Sequence, residues 1–136
     1  MNWLQGKTIV APTDFSEVSV NTLDWIRTVV AKPSDLIVIH VVAVDVLGDT
    51  SVPRREIAEG KMENLMNDPS YRGVYHRVLL GDPGSKIAEF ADEVNADLVL
   101  LPSHGRSGLS RLLIGSVAER VIRTSPCPVL VLREGS

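Results

Sequence analysis

The fold is decided by one stretch of the sequence, residues 98–116, which is LVLLPSHGRSGLSRLLIGS. It begins with four apolar residues, which is typical of a buried strand in a parallel sheet. A loop rich in glycine and serine follows, and a segment with helical spacing starts near Ser116. A strand, a glycine-rich loop and a helix in this order favour an α/β fold whose loop holds a phosphate group.

Short apolar runs recur along the whole chain, at residues 8–11, 36–44, 74–80, 98–101 and 129–132. Between most of them, apolar residues return at the spacing of helical turns. This alternation predicts an α/β fold with a single doubly wound, five-stranded parallel sheet and helices on both faces. Runs 36–44 and 98–101 are apolar on both faces and should be central. Run 74–80 alternates and should lie near an edge, and run 129–132 should form an edge strand.

Composition narrows the class of protein. The 136 residues fit one domain, residues 1–136, and 44% of them are hydrophobic. The net charge of −3 argues against a nucleic-acid partner, because such proteins present a basic face. A single cysteine excludes a disulfide within the chain and a cysteine-cluster metal site, and the three histidines lack ligand spacing. We find no signal peptide and no membrane-spanning stretch, so we expect a cytoplasmic protein.

Three predicted helix starts follow strands closely. Their capping signals are Asp14 with Glu17, Asp82 followed by Pro83, and Ser116 with Glu119. Each should lie at the carboxyl edge of the sheet, where open α/β folds bind ligands. If the first and fourth strands are neighbours, the loops that follow them face each other across a crevice. Residues 45–53 are rich in turn-forming residues and are predicted to be a surface loop.

The second of these loops has the chemistry of a phosphate site. Its glycines allow close approach of the backbone, and the helix that starts near Ser116 presents free N–H groups. Hydroxyl groups and arginines can add donors and positive charge; the residues concerned are Ser103, Ser116, Arg106 and Arg111. Plainer interpretations stay open, because Asp14 and Ser116 are also adequate helix caps. His104 has no triad or metal partners, which favours a loop-orienting role, and His40 is interpreted as a structural histidine.

A series of short motifs extends this interpretation. They are VAPTDFS at 10–16, IHV at 39–41, LGDP at 80–83, ADLV at 96–99, SHG at 103–105, GSVAE at 115–119 and PCPVLV at 126–131. In this order and combination the chain resembles the universal stress protein family along essentially its whole length. The resemblance implies a Rossmann-like fold of the adenine nucleotide alpha hydrolase type.

The resemblance also implies a nucleotide site. Nucleotide-binding members of the family carry Gly-x2-Gly-x9-Gly-(Ser/Thr); Gly105, Gly115 and Ser116 match its last three elements, and Pro102 stands in place of the first glycine. By resemblance, Asp14 would contact the ribose and the backbone of Val41 the adenine. The residues assigned to the nucleotide site are Pro12, Thr13, Asp14, Val41, Pro102, Ser103, His104, Gly105, Arg106, Gly115, Ser116 and Val117.

Three functions follow from these observations. The first is an ATP-binding stress-response protein in which nucleotide alters conformation or a partner contact; Mg²⁺ would come only with the nucleotide, and no residue is assigned as catalytic or as a metal ligand. The second is a dimeric scaffold that does not bind nucleotide, because Pro102 replaces the motif glycine. The third is a slow ATPase. As implied by the family, the edge strand Val129–Leu132 should pair with its equivalent in a homodimer.

Overall fold

The strands and helices alternate as the sequence predicts. The computed structural model describes residues 4–44, 51–102 and 115–133. The strands are β1 (Ile9–Pro12), β2 (Leu36–Val42), β3 (Tyr75–Leu80), β4 (Leu98–Pro102) and β5 (Val129–Leu132). The helices are α1 (Glu17–Val29), α2 (Ser51–Met66), α3 (Pro83–Glu93) and α4 (Ser116–Thr124), with short 3-10 turns at Pro33–Asp35 and Pro69–Tyr71. Within these three ranges, no helix is long and apolar enough to span a membrane.

The five strands form one parallel sheet in the order β3-β2-β1-β4-β5. The predicted five-stranded α/β fold is therefore confirmed, with β2 and β4 inside the sheet and β3 and β5 at its edges. The strand order reverses between β1 and β4. Here β1 pairs with β2 as far as Pro12 opposite Ile39. Its pairing with β4 stops earlier, at Val10 opposite Val99, so the two strands separate at their carboxyl ends.

Each face of the sheet buries its own apolar cluster because strand side chains alternate between the faces. On one face, Ala11 of β1 packs in a cluster with Leu23 of α1 and Met62 of α2. On the other, Val10 packs in a cluster that includes Val121 of α4. Helices α1 and α2 thus cover one face, and α3 and α4 the other. The reversal of winding at β1 and β4 leaves a crevice between the two pairs of helices.

One of the three predicted capping signals is confirmed. The Asp82 side chain accepts a hydrogen bond from the Ser85 N–H (3.1 Å), and proline occupies the first turn of α3. Hydrogen bonds from the backbone and the side chain of Ser85 hold the pKa of Asp82 below its usual value. The capping box of Asp14 with Glu17 is wrong, because Ser16 caps α1. Asp14 instead accepts from the Ser16 N–H (2.9 Å) in the turn before the helix.

The predicted start of α4 is also shifted. Gly115 is the N-cap residue and Ser116 is already inside the helix, so the capping box of Ser116 with Glu119 is wrong. Glu119 instead pairs with Arg123 one turn later (2.8 Å). The predicted surface loop at 45–53 is wrong at its end, because residues 51–53 belong to α2. Residues 45–50 lie outside the described residues.

Tyr71 joins the 3-10 turn before β3 to α1. Its hydroxyl donates to Asp24 Oδ1 (3.0 Å), and the Arg27 guanidinium lies 4.3 Å from the ring centre. Burial and the neighbouring carboxylate raise the pKa of Tyr71 to about 12. Because the unfolded phenol ionises near pH 10, the stability that the buried neutral phenol contributes is complete below about pH 10. It is lost as the pH rises towards 12.

We expect Tyr71→Phe to reduce the loss of unfolding free energy at alkaline pH. At pH 7 the variant should lose about 1 kcal/mol of unfolding free energy, because the hydrogen bond to Asp24 is gone. Urea unfolding from pH 7 to 11.5 measures both effects. Between pH 10 and 11.5 the stability of the wild type should fall more steeply than that of the variant. Parallel curves would contradict the assignment.

Candidate functional site

A cavity of about 310 Å³ lies at the carboxyl ends of β1, β2 and β4, where the strand order reverses. We call it the edge cavity. The residues predicted from the sequence that line it are Pro12, Thr13, Asp14, Val41, Pro102, Gly115, Ser116 and Val117. The structure therefore brings together residues from both predicted loops and from β2. The other four predicted residues, Ser103, His104, Gly105 and Arg106, lie outside the described residues.

The backbone of Val41 faces this cavity. In a parallel ladder, alternate residues direct their N–H and C=O groups to the same neighbouring strand. The Ile39 carbonyl accepts from the Thr13 N–H (2.8 Å), so it points towards β1; the Val42 carbonyl accepts from the Gly81 N–H (3.0 Å), on the β3 side. The backbone N–H and C=O of Val41 therefore point towards β1, as those of Ile39 do. Because β1 ends opposite Ile39, the N–H and C=O of Val41 extend beyond it into the cavity.

Thr13 organises the loop that follows β1. It is 4% exposed, and its hydroxyl accepts from the Phe15 N–H (2.9 Å) and lies 2.8 Å from Ser19 Oγ. Its carbonyl oxygen lies 2.7 Å from His40 Nδ1, which therefore carries the proton. The interpretation of His40 as a structural histidine is confirmed by this bond. The bonds tie the loop to α1 and to β2 at once.

The same loop holds Phe15 in a strained conformation. Its φ of 65° is in the left-handed region, which an aromatic residue adopts only when its surroundings enforce it. The ring packs against the His40 ring, with centres 4.7 Å apart. Asp14 lies between Thr13 and Phe15, and its Oδ1 accepts from Ser16. The Asp14 carboxylate, which lines the edge cavity, is thus held in place by this turn.

The first turn of α4 supplies the donors on the other side of the crevice. Gly115 caps it with φ −61° and ψ 159°, and no side chain accepts from its N–H groups among the described residues. The turn carries the positive end of the helix dipole. Pro12 and Pro102 end the adjacent strands, and neither has an N–H group to offer. Within the described part of the chain, α4 and Val41 therefore offer backbone N–H donors to the cavity.

Four lining residues were not among the predicted site residues: His40, Ile87, Leu101 and Ala118. Ile87 and Leu101 are each 3% exposed and form an apolar wall. Strand alternation gives a usable signal for Leu101, because it shares a face with Val99 and immediately precedes Pro102. No such signal marks Ile87, which has the spacing of any buried helical residue. In the three described ranges, no three His, Cys, Asp or Glu residues cluster as a metal site would require.

Comparison with known proteins agrees with the fold described above. The model of the universal stress protein family matches residues 6–133. Universal stress protein MJ0531 of Methanocaldococcus jannaschii is 34% identical, over 94% of this chain and 82% of that protein. The solved structure of MJ0577, from the same organism, superposes with a TM-score of 0.77 at 30% identity, covering 96% of this chain and 97% of that one.

A further solved universal stress protein is described as a complex with cAMP. It superposes with a TM-score of 0.67 at 27% identity, covering 93% of this chain and 96% of that one. The matches extend over nearly the whole chain in sequence and in structure. The chain belongs to the universal stress protein family.

Proposed function

We propose that this protein binds an adenine nucleotide, ATP with Mg²⁺, in the edge cavity and acts in the stress response through that occupancy. The observation that carries the proposal is that one cavity contains the backbone edge of Val41 and the first turn of α4 after Gly115, both without partners among the described residues. The first suits a base and the second suits a phosphate. The relative solved with cAMP holds a ligand of the same chemical class.

The adenine would lie against Val41. The Watson–Crick edge of adenine presents an acceptor, N1, beside the donor N6 amino group. The N–H and C=O of Val41 supply the complementary donor and acceptor on one residue. Ile87 and Leu101 provide apolar surface for the ring. Asp14, which lines the cavity, would then accept hydrogen bonds from the ribose hydroxyls.

The phosphates would lie at the first turn of α4. Its N–H groups and helix dipole favour an anion there. The assignments of Ser103, His104, Gly105 and Arg106 to the same phosphates remain part of this proposal. Mg²⁺ would enter with the triphosphate and be held by its oxygens.

Calorimetric titration tests the proposal. We expect saturable binding of ATP with Mg²⁺, and weaker binding of GTP, because the guanine edge presents its donor and acceptor in the opposite order. Asp14→Asn keeps the acceptor oxygen for Ser16 but removes the charge, and should weaken ATP binding about tenfold. The matched control is Asp82→Asn at the cap of α3, outside the edge cavity. Absence of binding up to millimolar ATP would reject the proposal.

Pro102 is the observation that favours the second function, a dimeric scaffold without nucleotide. It lies in β4 opposite Leu132 and lines the cavity without an N–H group. We expect Pro102→Ala, which restores the N–H, to tighten ATP binding by up to about tenfold. Pro102→Gly adds freedom in φ and separates that effect from the hydrogen bond. Binding by the variants alone would establish the scaffold; equal affinities for all three proteins would show that the missing N–H does not matter.

We further propose a homodimer through β5. Val99 N–H donates to the Pro128 carbonyl (3.0 Å), so Val129 and Val131 turn their backbone groups away from β4, to the edge. Two-fold pairing of β5 with its equivalent would cover both edges. Val131→Pro removes an outward N–H without breaking the ladder to β4. Sedimentation at micromolar concentration should find a wild-type dimer and a weaker dimer or monomer for the variant; a wild-type monomer would reject the proposal.

A further inference from the structure

A second cavity, of about 300 Å³, opens on the other face of the sheet beside α2. We call it the α2 cavity. It shares Asp14, His40 and Val41 with the edge cavity, so the two lie on either side of the carboxyl end of β2. Helix α2 contributes four residues to the α2 cavity, and Arg54 and Lys61 are the first and the last of them. Both cations belong to α2, outside the loops that follow β1 and β4.

Arg54 carries the inference. Its side chain is half-buried, and its Nε and Nη2 atoms are buried without a hydrogen-bond partner in the part of the chain that the structure describes. These two atoms form the side-on edge of the guanidinium, the fork that binds an oxyanion through two parallel hydrogen bonds. Buried polar groups in proteins nearly always have partners, and an unpaired buried cation is strongly unfavourable. An unsatisfied fork on a residue that lines a cavity therefore points to a missing anionic ligand.

The arrangement of α2 supports the same conclusion. Arg54 and Lys61 are seven residues apart, which places them on one face of the helix, about 10 Å apart along its axis. Ile57 and Ala58 lie between them on this face and line the cavity too. Lys61 is exposed and forms no ion pair within the described ranges. Among the described lining residues there is one carboxylate, Asp14, against these two cations, so this part of the lining carries a net positive charge.

We propose that the α2 cavity binds a phosphate monoester group, held by the side-on fork of Arg54 with Lys61 adding charge. Two sources share this chemistry. One is a free phosphate or phosphorylated metabolite. The other is a second phosphate on the ribose of an adenine nucleotide in the edge cavity, reached past the shared Asp14; this second source rests on the proposed function, whereas the first does not.

Inorganic phosphate is the first probe, titrated in a phosphate-free buffer at constant ionic strength. The readouts are calorimetry and the NMR signal of Arg54 Nε–H, which Arg54→Gln identifies by its loss. We expect saturable binding that Arg54→Gln weakens at least about tenfold and Lys61→Gln weakens less. The matched control is Arg55→Gln, because Arg55 makes an exposed ion pair with Glu59 (2.9 Å) outside the cavity. Equal phosphate affinity in Arg54→Gln and Arg55→Gln would overturn the proposal.

Adenosine 3′,5′-bisphosphate, compared with AMP, distinguishes the two sources. A gain in affinity over AMP that Arg54→Gln abolishes assigns the second phosphate to the nucleotide. Arg54-dependent phosphate binding without that gain assigns a free phosphate. If AMP fails to bind at all, the phosphate titration still decides the α2 cavity separately from the nucleotide site.

Thermal unfolding of the ligand-free protein distinguishes a ligand-binding role of Arg54 from a structural role. Because the unpaired fork is unfavourable in the empty cavity, Arg54→Met should raise the unfolding midpoint. It should also abolish the stabilisation by added phosphate. A lower midpoint than the wild type would mean that Arg54 supports the fold, and would overturn the proposal.

Discussion

Gly115→Asp is expected to stabilise the protein and to abolish its nucleotide binding. The backbone at Gly115 already has the φ and ψ of an N-cap, and a Cβ added there meets no described residue within 4 Å. An aspartate would accept hydrogen bonds from the N–H groups of the first turn of α4 and complement the helix dipole. We expect about 0.5–1 kcal/mol of added stability, a rise of roughly 1–4 °C in the unfolding midpoint.

The same carboxylate would take the place proposed for the phosphates. Losing two charge-assisted hydrogen bonds and adding like-charge repulsion should raise the Kd for ATP by about 100-fold or more. Gly115→Ala is the matched control, because it adds the Cβ without the cap or the charge. Calorimetry and thermal unfolding on the same samples measure both effects. Stabilised protein that still binds ATP as the wild type does would place the phosphates away from α4.

The sequence predicted the arrangement of the sheet well because that arrangement follows from local patterns. Apolar runs located the strands; the alternation in run 74–80 placed β3 near an edge, and run 129–132 was placed at an edge as the short last strand. The errors fall at helix starts, where one residue changes the outcome. Ser16 and Asp14 both have side chains that can cap a helix, and so does Ser116; only the backbone angles decide that Ser16 and Gly115 are the N-cap residues.

Part of the site was predicted because local motifs mark it. Asp14 and Gly115 lie in recognisable motifs, and the carboxyl edge brings them together. The backbone edge of Val41 depends on β1 ending opposite Ile39, a register that only the folded sheet fixes. Arg54 lies in a polar helix where an arginine is ordinary. The burial of its Nε and Nη2 without a partner among the described residues depends on tertiary packing, which no local sequence pattern predicts.

The second large effect is expected at Thr13. Thr13→Val keeps the shape of the side chain but removes the hydroxyl that accepts from the Phe15 N–H and contacts Ser19 Oγ. Both groups would then be buried or half-buried without this partner, and Phe15 would lose support for its positive φ. We expect a loss of about 2–4 kcal/mol in unfolding free energy, measured by urea denaturation.

The effect of Thr13→Val on ATP affinity tests whether the loop after β1 positions the ligand or only stabilises the fold. Because the Thr13 hydroxyl fixes the turn that carries Asp14, Thr13→Val should weaken ATP binding even at temperatures where the variant is fully folded. Thr13→Ser keeps the hydroxyl and removes only a methyl group, so it should lose less stability and retain its affinity. Circular dichroism establishes the folded fraction before each titration. Equal losses of affinity in the valine and serine variants would mean that packing by the methyl group, and not the hydroxyl network, positions Asp14.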